Sequence, residues 1–235
     1  MRRTLLAILL VFGLWGCAPN PADDQTSGAS EGRTAIFAGG CFWCLEADFE
    51  QLPGVITAES GYTGGYLANP SYALVSLGIT GHTEAVRVTY DPQRLSYAQL
   101  LDHFWRHIDP TVADRQFCDI GSQYRSGIYW QDDDEKQLAE ASRDALLASG
   151  RLPRIATEIR RASTFFRAEE YHQDYYRKNP LRYAYYRYAC GRDARVQQIW
   201  GDDQQALPRW SDKADNPAKE LTRLGRADPS GIPPH

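Results

Sequence analysis

The sequence predicts a single domain of α/β or α+β class, with one sheet covered by helices. Two observations carry this. Strand-like and helix-like patterns alternate along residues 34–200. The chain has 235 residues, which allows one domain plus tails. No internal repeat and no second apolar segment breaks the pattern.

Residues 34–38 form a short apolar run before Gly39-Gly40 and read as a buried strand. A helix should follow, because Phe42, Leu45, Phe49 and Leu52 recur at helical spacing. Pro53-Gly54 stops it. Residues 55–62 read as a second strand. Gly61, Gly64, Gly65 and Asn69-Pro70 then mark a long loop. In 84–90, Glu84, Val86, Val88 and Tyr90 share one strand face; Ala85, Arg87 and Thr89 share the other. Ser96 and Gln99 have the spacing of a capping box, ahead of a stripe of Leu100, Leu101, Phe104, Trp105 and Ile108. Residues 109–125 read as loop and 127–130 as strand. Asp132, Asp133 and Asp134 suit a helix N-terminus, where the dipole favours negative charge. That helix should run to Ser149, with Gly150 beyond its end. Residues 155–161 alternate as a strand. Residues 168–178 read as a helix stopped by Asn179-Pro180.

The two ends lie outside this domain. Arg2 and Arg3 precede an apolar run over 5–14, too short to span a bilayer as a mature helix. That is the pattern of an export signal. Leu14-Trp15-Gly16-Cys17 resembles the bacterial lipobox, in which the Cys is lipidated and becomes the new N-terminus. The expected organisation is a lipoprotein signal peptide over 1–16, then lipidated Cys17 and a flexible tether over 17–33. The folded domain covers 34–200 and an irregular tail 201–235. By the same resemblance, Ala18 after the Cys favours the periplasmic side of an outer membrane over an inner one. A formal net charge of −4 argues against nucleic acid, which selects a basic excess. A monomer is expected.

Five cysteines are present: Cys17, Cys41, Cys44, Cys118 and Cys190. With Cys17 lipidated, four remain. Structural disulfides and a zinc site are the two ordinary readings of such a set. The context of Cys41 points instead to chemistry. It follows a buried strand and two glycines, where a helix should begin. A helix N-terminus there is expected to lower its pKa and favour the reactive thiolate. Cys44 lies three residues on, so both sulfurs can face one side of the first turn. It can attack an oxidised Cys41. Strand, Cys-x-x-Cys and helix also fit a thiol-disulfide oxidoreductase. The two aromatics in Gly40-Cys41-Phe42-Trp43-Cys44 suit a pocket for a small apolar group such as an S-methyl. Glu84 shares a face with apolar residues, so burial should raise its pKa and keep an acid form near neutral pH. His82 and His172 are expected to be structural. The tyrosines at 171, 175, 176, 183, 185, 186 and 188 are expected to be packing and surface cover.

At this point the chain resembles peptide methionine sulfoxide reductase A. Gly40-Cys41-Phe42-Trp43 resembles that family's active-site signature. Gly61-Tyr62-Thr63-Gly64-Gly65 and Asn69-Pro70-Ser71-Tyr72 follow at its spacing. Gly81-His82-Thr83-Glu84-Ala85-Val86, Asp109-Pro110 and Asp119-Ile120-Gly121-Ser122-Gln123-Tyr124-Arg125-Ser126 continue it. Glu169-Glu170-Tyr171-His172-Gln173 and Lys178-Asn179-Pro180 complete it. The resemblance implies a two-layer sandwich around a mixed sheet and reduction of the S epimer of methionine sulfoxide, free or in proteins. It implies Cys41 as nucleophile, Glu84 as acid, and Tyr72 and Tyr124 as donors to the sulfoxide oxygen. Phe42 and Trp43 would wall the methyl pocket, and Asp119 would hold substrate or the polar network. It implies no bound cofactor or metal, and an external thioredoxin-like dithiol as reductant. Many family members carry Gly where this chain has Cys44 and resolve with a cysteine near the C-terminus. The candidates for the resolving cysteine are Cys44, then Cys190, then Cys118. A periplasmic thiol-disulfide oxidoreductase and a non-catalytic lipoprotein with structural disulfides are the alternatives.

Overall fold

A computed structural model describes residues 32–201. The expected signal peptide, Cys17, most of the expected tether and the expected tail beyond Gly201 lie outside the described residues.

The apolar run after the tether forms strand β1 (Arg33–Gly39) and runs straight into helix α1 (Phe42–Glu50). Strand β2 (Val55–Thr63) and a short helix α2 (Tyr72–Ser76) precede β3 (Thr83–Tyr90) and α3 (Tyr97–Trp105). The capping box is present: Ser96 Oγ accepts from the Gln99 amide and the Gln99 side chain accepts from the Ser96 amide. The expected loop over 109–125 contains a small hairpin, β4 (Arg115–Gln116) and β5 (Asp119–Ile120), and a 3-10 turn at Ser122–Tyr124. Strand β6 (Ser126–Trp130) leads to α4 (Asp133–Ala148), capped by Asp132. Strands β7 (Glu158–Arg161) and β8 (Phe166–Arg167) follow.

The helix expected over 168–178 is broken into a 3-10 turn at Glu170–His172 and helix α5 (Tyr175–Lys178). Gln173 is the reason. Its side chain bonds the Ser60 amide and the Ser60 and Ala168 carbonyls, which pulls it out of helical register. Two further helices, α6 (Pro180–Ala189) and α7 (Arg192–Trp200), are additions to the sequence reading.

The six-stranded sheet has the order β7-β6-β1-β3-β2-β8. Only β6–β7 is parallel among its pairings, so the sheet is mixed. Strand alternation divides the two faces. Ala35, Phe37, Val86, Val88 and Ile128 face the large core with residues of α1, α3, α4 and α7. Ile36, Ala38, Ala85 and Tyr129 face a small cluster covered by Ala162 and Phe165. The expected α/β single domain, one sheet with its helical layer, is the fold observed. Glu84 lies on the helical face, in line with Val86 and Val88, and so points at the start of α1.

Candidate active site

Gly40 holds the turn between β1 and α1 at φ +80°, and a Cβ there would lie 2.5 Å from Gln116 Cβ. Only glycine fits this close approach. Cys41 is the N-cap of α1, as expected, and its carbonyl accepts from the Cys44 and Leu45 amides. Both thiols are free and buried. Each shifts the titration of the other, raising Cys41 and lowering Cys44.

The first amide of α1 does not serve Cys41. The Phe42 N–H donates to Glu84 Oε2 at 2.9 Å. Glu84 is 2% exposed. Burial pushes its carboxyl up to about 8, against the Phe42 hydrogen bond; Asp119 and Cys44 add to the rise. The expected acid form near neutral pH is therefore present. The expected low pKa of Cys41 is not. Burial raises its thiol well above the ordinary value, and its neighbours Cys44 and Glu84 raise it further. Desolvation outweighs the helix end here. The lowered member of the pair is Cys44, through the hydrogen bond from Cys41 and then the charges of Arg192 and Arg187.

Those arginines belong to a buried network that sequence reasoning missed. Asp48, one turn beyond Cys44 on α1, accepts from Arg187 Nη1 at 2.7 Å and faces Arg192 Nε at 3.5 Å. Arg192 also donates to the Gly39 and His107 carbonyls.

Phe42 and Trp43 begin an aromatic wall. Phe42 lies 5.9 Å from Tyr62, 6.4 Å from Tyr72 and 5.0 Å from His172, between ring centroids. Trp43 stacks on Tyr175 at 3.7 Å and donates from Nε1 to His172 Nδ1 at 3.0 Å. Burial pushes His172 down to about 4, so it is a neutral acceptor that orients Trp43. His82 binds the Leu67 carbonyl and the Gly65 amide and holds the long loop. Both histidines are structural, as expected.

Glu169 is a positioning residue that the sequence reading did not single out. Its carboxylate accepts from the Tyr72 amide at 2.8 Å and from Tyr62 Oη at 2.7 Å. Tyr72 is thereby anchored at the wall; burial and then the charge of Glu84 push it up to about 12. Tyr124, on the 3-10 turn, is raised by burial and by the same Glu84. Asp119, the first residue of β5, accepts from Tyr186 Oη at 2.7 Å. Burial raises its carboxyl. So Cys41, Glu84, Tyr72, Tyr124, Asp119, Phe42 and Trp43 converge on one site.

Cys118 and Cys190 do not join it as free thiols. They form a disulfide with Cα atoms 4.9 Å apart, beside Asp119. Of the three candidate resolvers, Cys44 alone remains a thiol. The oxygens of Glu46, Glu50 and Asp174 cluster closely enough for a cation, but they already accept from Ser60, the Asp174 amide, Tyr176 and Arg177.

The family model for peptide methionine sulfoxide reductase matches residues 33–204. The chain belongs to the peptide methionine sulfoxide reductase family. It is a peptide-methionine (S)-S-oxide reductase. Peptide methionine sulfoxide reductase MsrA 2 of Caulobacter vibrioides is 46% identical over 202 residues, covering 86% of this chain and 100% of that relative. The MsrA of Bacillus licheniformis is 47% identical over 174 residues, covering 74% and 96%. Methionine sulfoxide reductase A of Corynebacterium diphtheriae shares the fold at a TM-score of 0.59 and 37% identity, covering 66% of this chain and 78% of that one. Reduced Mxr1 of Saccharomyces cerevisiae aligns at 0.59 and 32%, covering 65% and 88%. The reductase reading thus stands, and the two alternatives fall.

Proposed function

We propose that Cys41 is the nucleophile of this reductase and Glu84 its acid. The Cys41 sulfur attacks the sulfoxide sulfur while Glu84 protonates the oxygen. The sulfur–oxygen bond of the substrate and the transient bond to Cys41 break, the protonated oxygen passes to the Cys41 sulfur, and methionine leaves Cys41 behind as a sulfenic acid. The substrate sulfur gains two electrons and the Cys41 sulfur loses two. Tyr72 and Tyr124 donate to the oxygen, Phe42 and Trp43 enclose the methyl group, and Asp119 holds the polar rim. The Cys44 thiol then attacks Cys41, forming a Cys41–Cys44 disulfide and releasing water. That disulfide needs an external dithiol for its return, and a thioredoxin-like protein is the proposed donor. The observation that carries this reading is the placement of two free thiols on the first turn of α1 beside a buried acid bonded to that turn.

The proposed setting is outside the cytoplasm. The signal over 1–16 would direct export, and a lipid on Cys17 would hold the domain through its tether to the periplasmic side of a membrane, the outer one by the residue after Cys17. Substrates there are oxidised proteins, peptides and free methionine sulfoxide.

Single-turnover reduction of the separated S and R epimers tests the chemistry. Pre-reduced chain should yield methionine from the S epimer alone, and Cys41→Ser should yield none. Cys44→Ser should give one methionine per enzyme and lose steady-state recycling. Normal recycling in that variant would remove Cys44 as the resolving thiol.

A further inference from the structure

The buried Cys41 sulfur must carry negative charge to attack, yet burial, Cys44 and Glu84 all oppose that charge. The nearest helix-end amide, Phe42 N–H, is taken by Glu84. Cys44 from α1, Glu84 from β3, Tyr72 from α2, Tyr124 from the 3-10 turn and Tyr186 from α6 act on Cys41, and Asp119 from β5 acts on Glu84 and holds Tyr186. Tyr186, whose ring abuts Trp43, two residues after Cys41, is the neighbour that favours the anion of the sulfur.

The phenol of Tyr186 is held on several sides. Its hydroxyl donates to Asp119 Oδ2 at 2.7 Å. Its ring stands on edge against Trp43 at 5.8 Å and 78°. The Cys118–Cys190 disulfide adds a covalent hold. Cys118 precedes Asp119, and Cys190 lies four residues after Tyr186, one helical turn on. The disulfide and the Tyr186–Asp119 hydrogen bond are therefore two adjacent links between the same two segments.

We propose that Tyr186 is a catalytic residue, whose hydroxyl swings from Asp119 to the Cys41 sulfur and stabilises the thiolate as it attacks, and that the Cys118–Cys190 disulfide is the strut that keeps it there. Tyr186 keeps its proton throughout. The proton lost by the Cys41 thiol is balanced by the one on the sulfenic oxygen. This inference rests on Cys41 being the nucleophile.

The test is Tyr186→Phe in the full chain, prepared with Cys41 and Cys44 reduced and the Cys118–Cys190 disulfide intact. Two readouts are taken: the pH dependence of Cys41 alkylation by iodoacetamide, read on the Cys41 peptide by mass spectrometry, and single-turnover reduction of the S epimer. Loss of one hydrogen bond to a charged sulfur should move the alkylation midpoint up by about one pH unit and slow turnover at pH 7 about tenfold. An unmoved midpoint overturns the role of Tyr186, whether or not turnover falls, because a packing defect would slow turnover without moving the titration. The double change Cys118→Ser with Cys190→Ser should move the midpoint the same way by a smaller amount; no movement overturns the strut. Unmodified chain that makes no methionine would sink the role of Cys41 itself, and the alkylation midpoint would still report on Tyr186.

Discussion

In the proposed cycle Glu84 must hold a proton when substrate arrives. Its value near 8 puts most of it in acid form at pH 7. The sign for turnover follows: the acid is present below about 8 and is lost as pH rises through it. Cys41 runs the other way, because its thiolate grows with pH. The single-turnover rate should therefore pass through a maximum, with a falling alkaline limb set by Glu84. Glu84→Gln should slow the reaction about 100-fold and abolish that limb. A surviving alkaline limb in the variant would assign the acid elsewhere. Glu84 was legible in the sequence because it continues the apolar face of β3. Tyr186 was not. It lies in a run of tyrosines in which Tyr185 and Tyr188 are exposed, and nothing in its spacing separates it from them.

At the scale of elements, short contacts and regular ends make separate demands. Asp132 caps α4 by accepting from the Glu135 amide at 2.8 Å, far from the site. Asp132→Ala should cost about 1 kcal/mol in denaturant unfolding and leave turnover unchanged. Gly40→Ala meets a forbidden φ and the Gln116 side chain at once. It should cost about 2 kcal/mol or more and lower turnover beyond what its unfolded fraction explains. Equal effects of the two changes on turnover would mean that the β1–α1 turn does not set the site. The same contrast explains which elements could be read in advance. α1 and α3 carry apolar stripes, and α4 announces its start with acids. α6 buries none of its residues, so it offers no stripe, although Pro180 occupies its first turn. β8 and the β4–β5 hairpin have two-residue strands, too short for any period to show.

For the molecule as a whole, three glutamates are buried among the described residues. Burial pushes Glu46 and Glu135 up to about 7 and Glu84 to about 8. Each binds its proton more tightly folded than unfolded, so each contributes stability below about 4.5 that is lost as pH rises through 7 to 8. His172, pushed down to about 4, works in the opposite sense, but only between about 4 and 6.5. Above 6.5 His172 no longer offsets the three glutamates, and the melting temperature should fall by roughly 5 °C between pH 6.5 and 8.5. Glu46→Gln should flatten that fall. A melting temperature that rises over this window would show that these carboxyls are ionised in the folded chain. The single domain with one sheet and its helices followed from the alternation of strand and helix periods. The meeting of Asp48, Arg187 and Arg192 beneath Cys44 did not, since buried charges far apart in sequence leave no local pattern.

Arg192 reaches the Gly39 carbonyl across 153 residues, and Trp200 is buried behind it against the Ile108 carbonyl. A chain is made and moved from its N-terminus, so the cysteines on α1 emerge long before the arginine that steadies them. Until the last two helices arrive, the segment around Cys41 has no floor, and its thiols face whatever oxidants surround the growing polypeptide. Maturation is thus timed by the tail end of the domain: the enzyme becomes able to repair others only once its own final turns have closed over it.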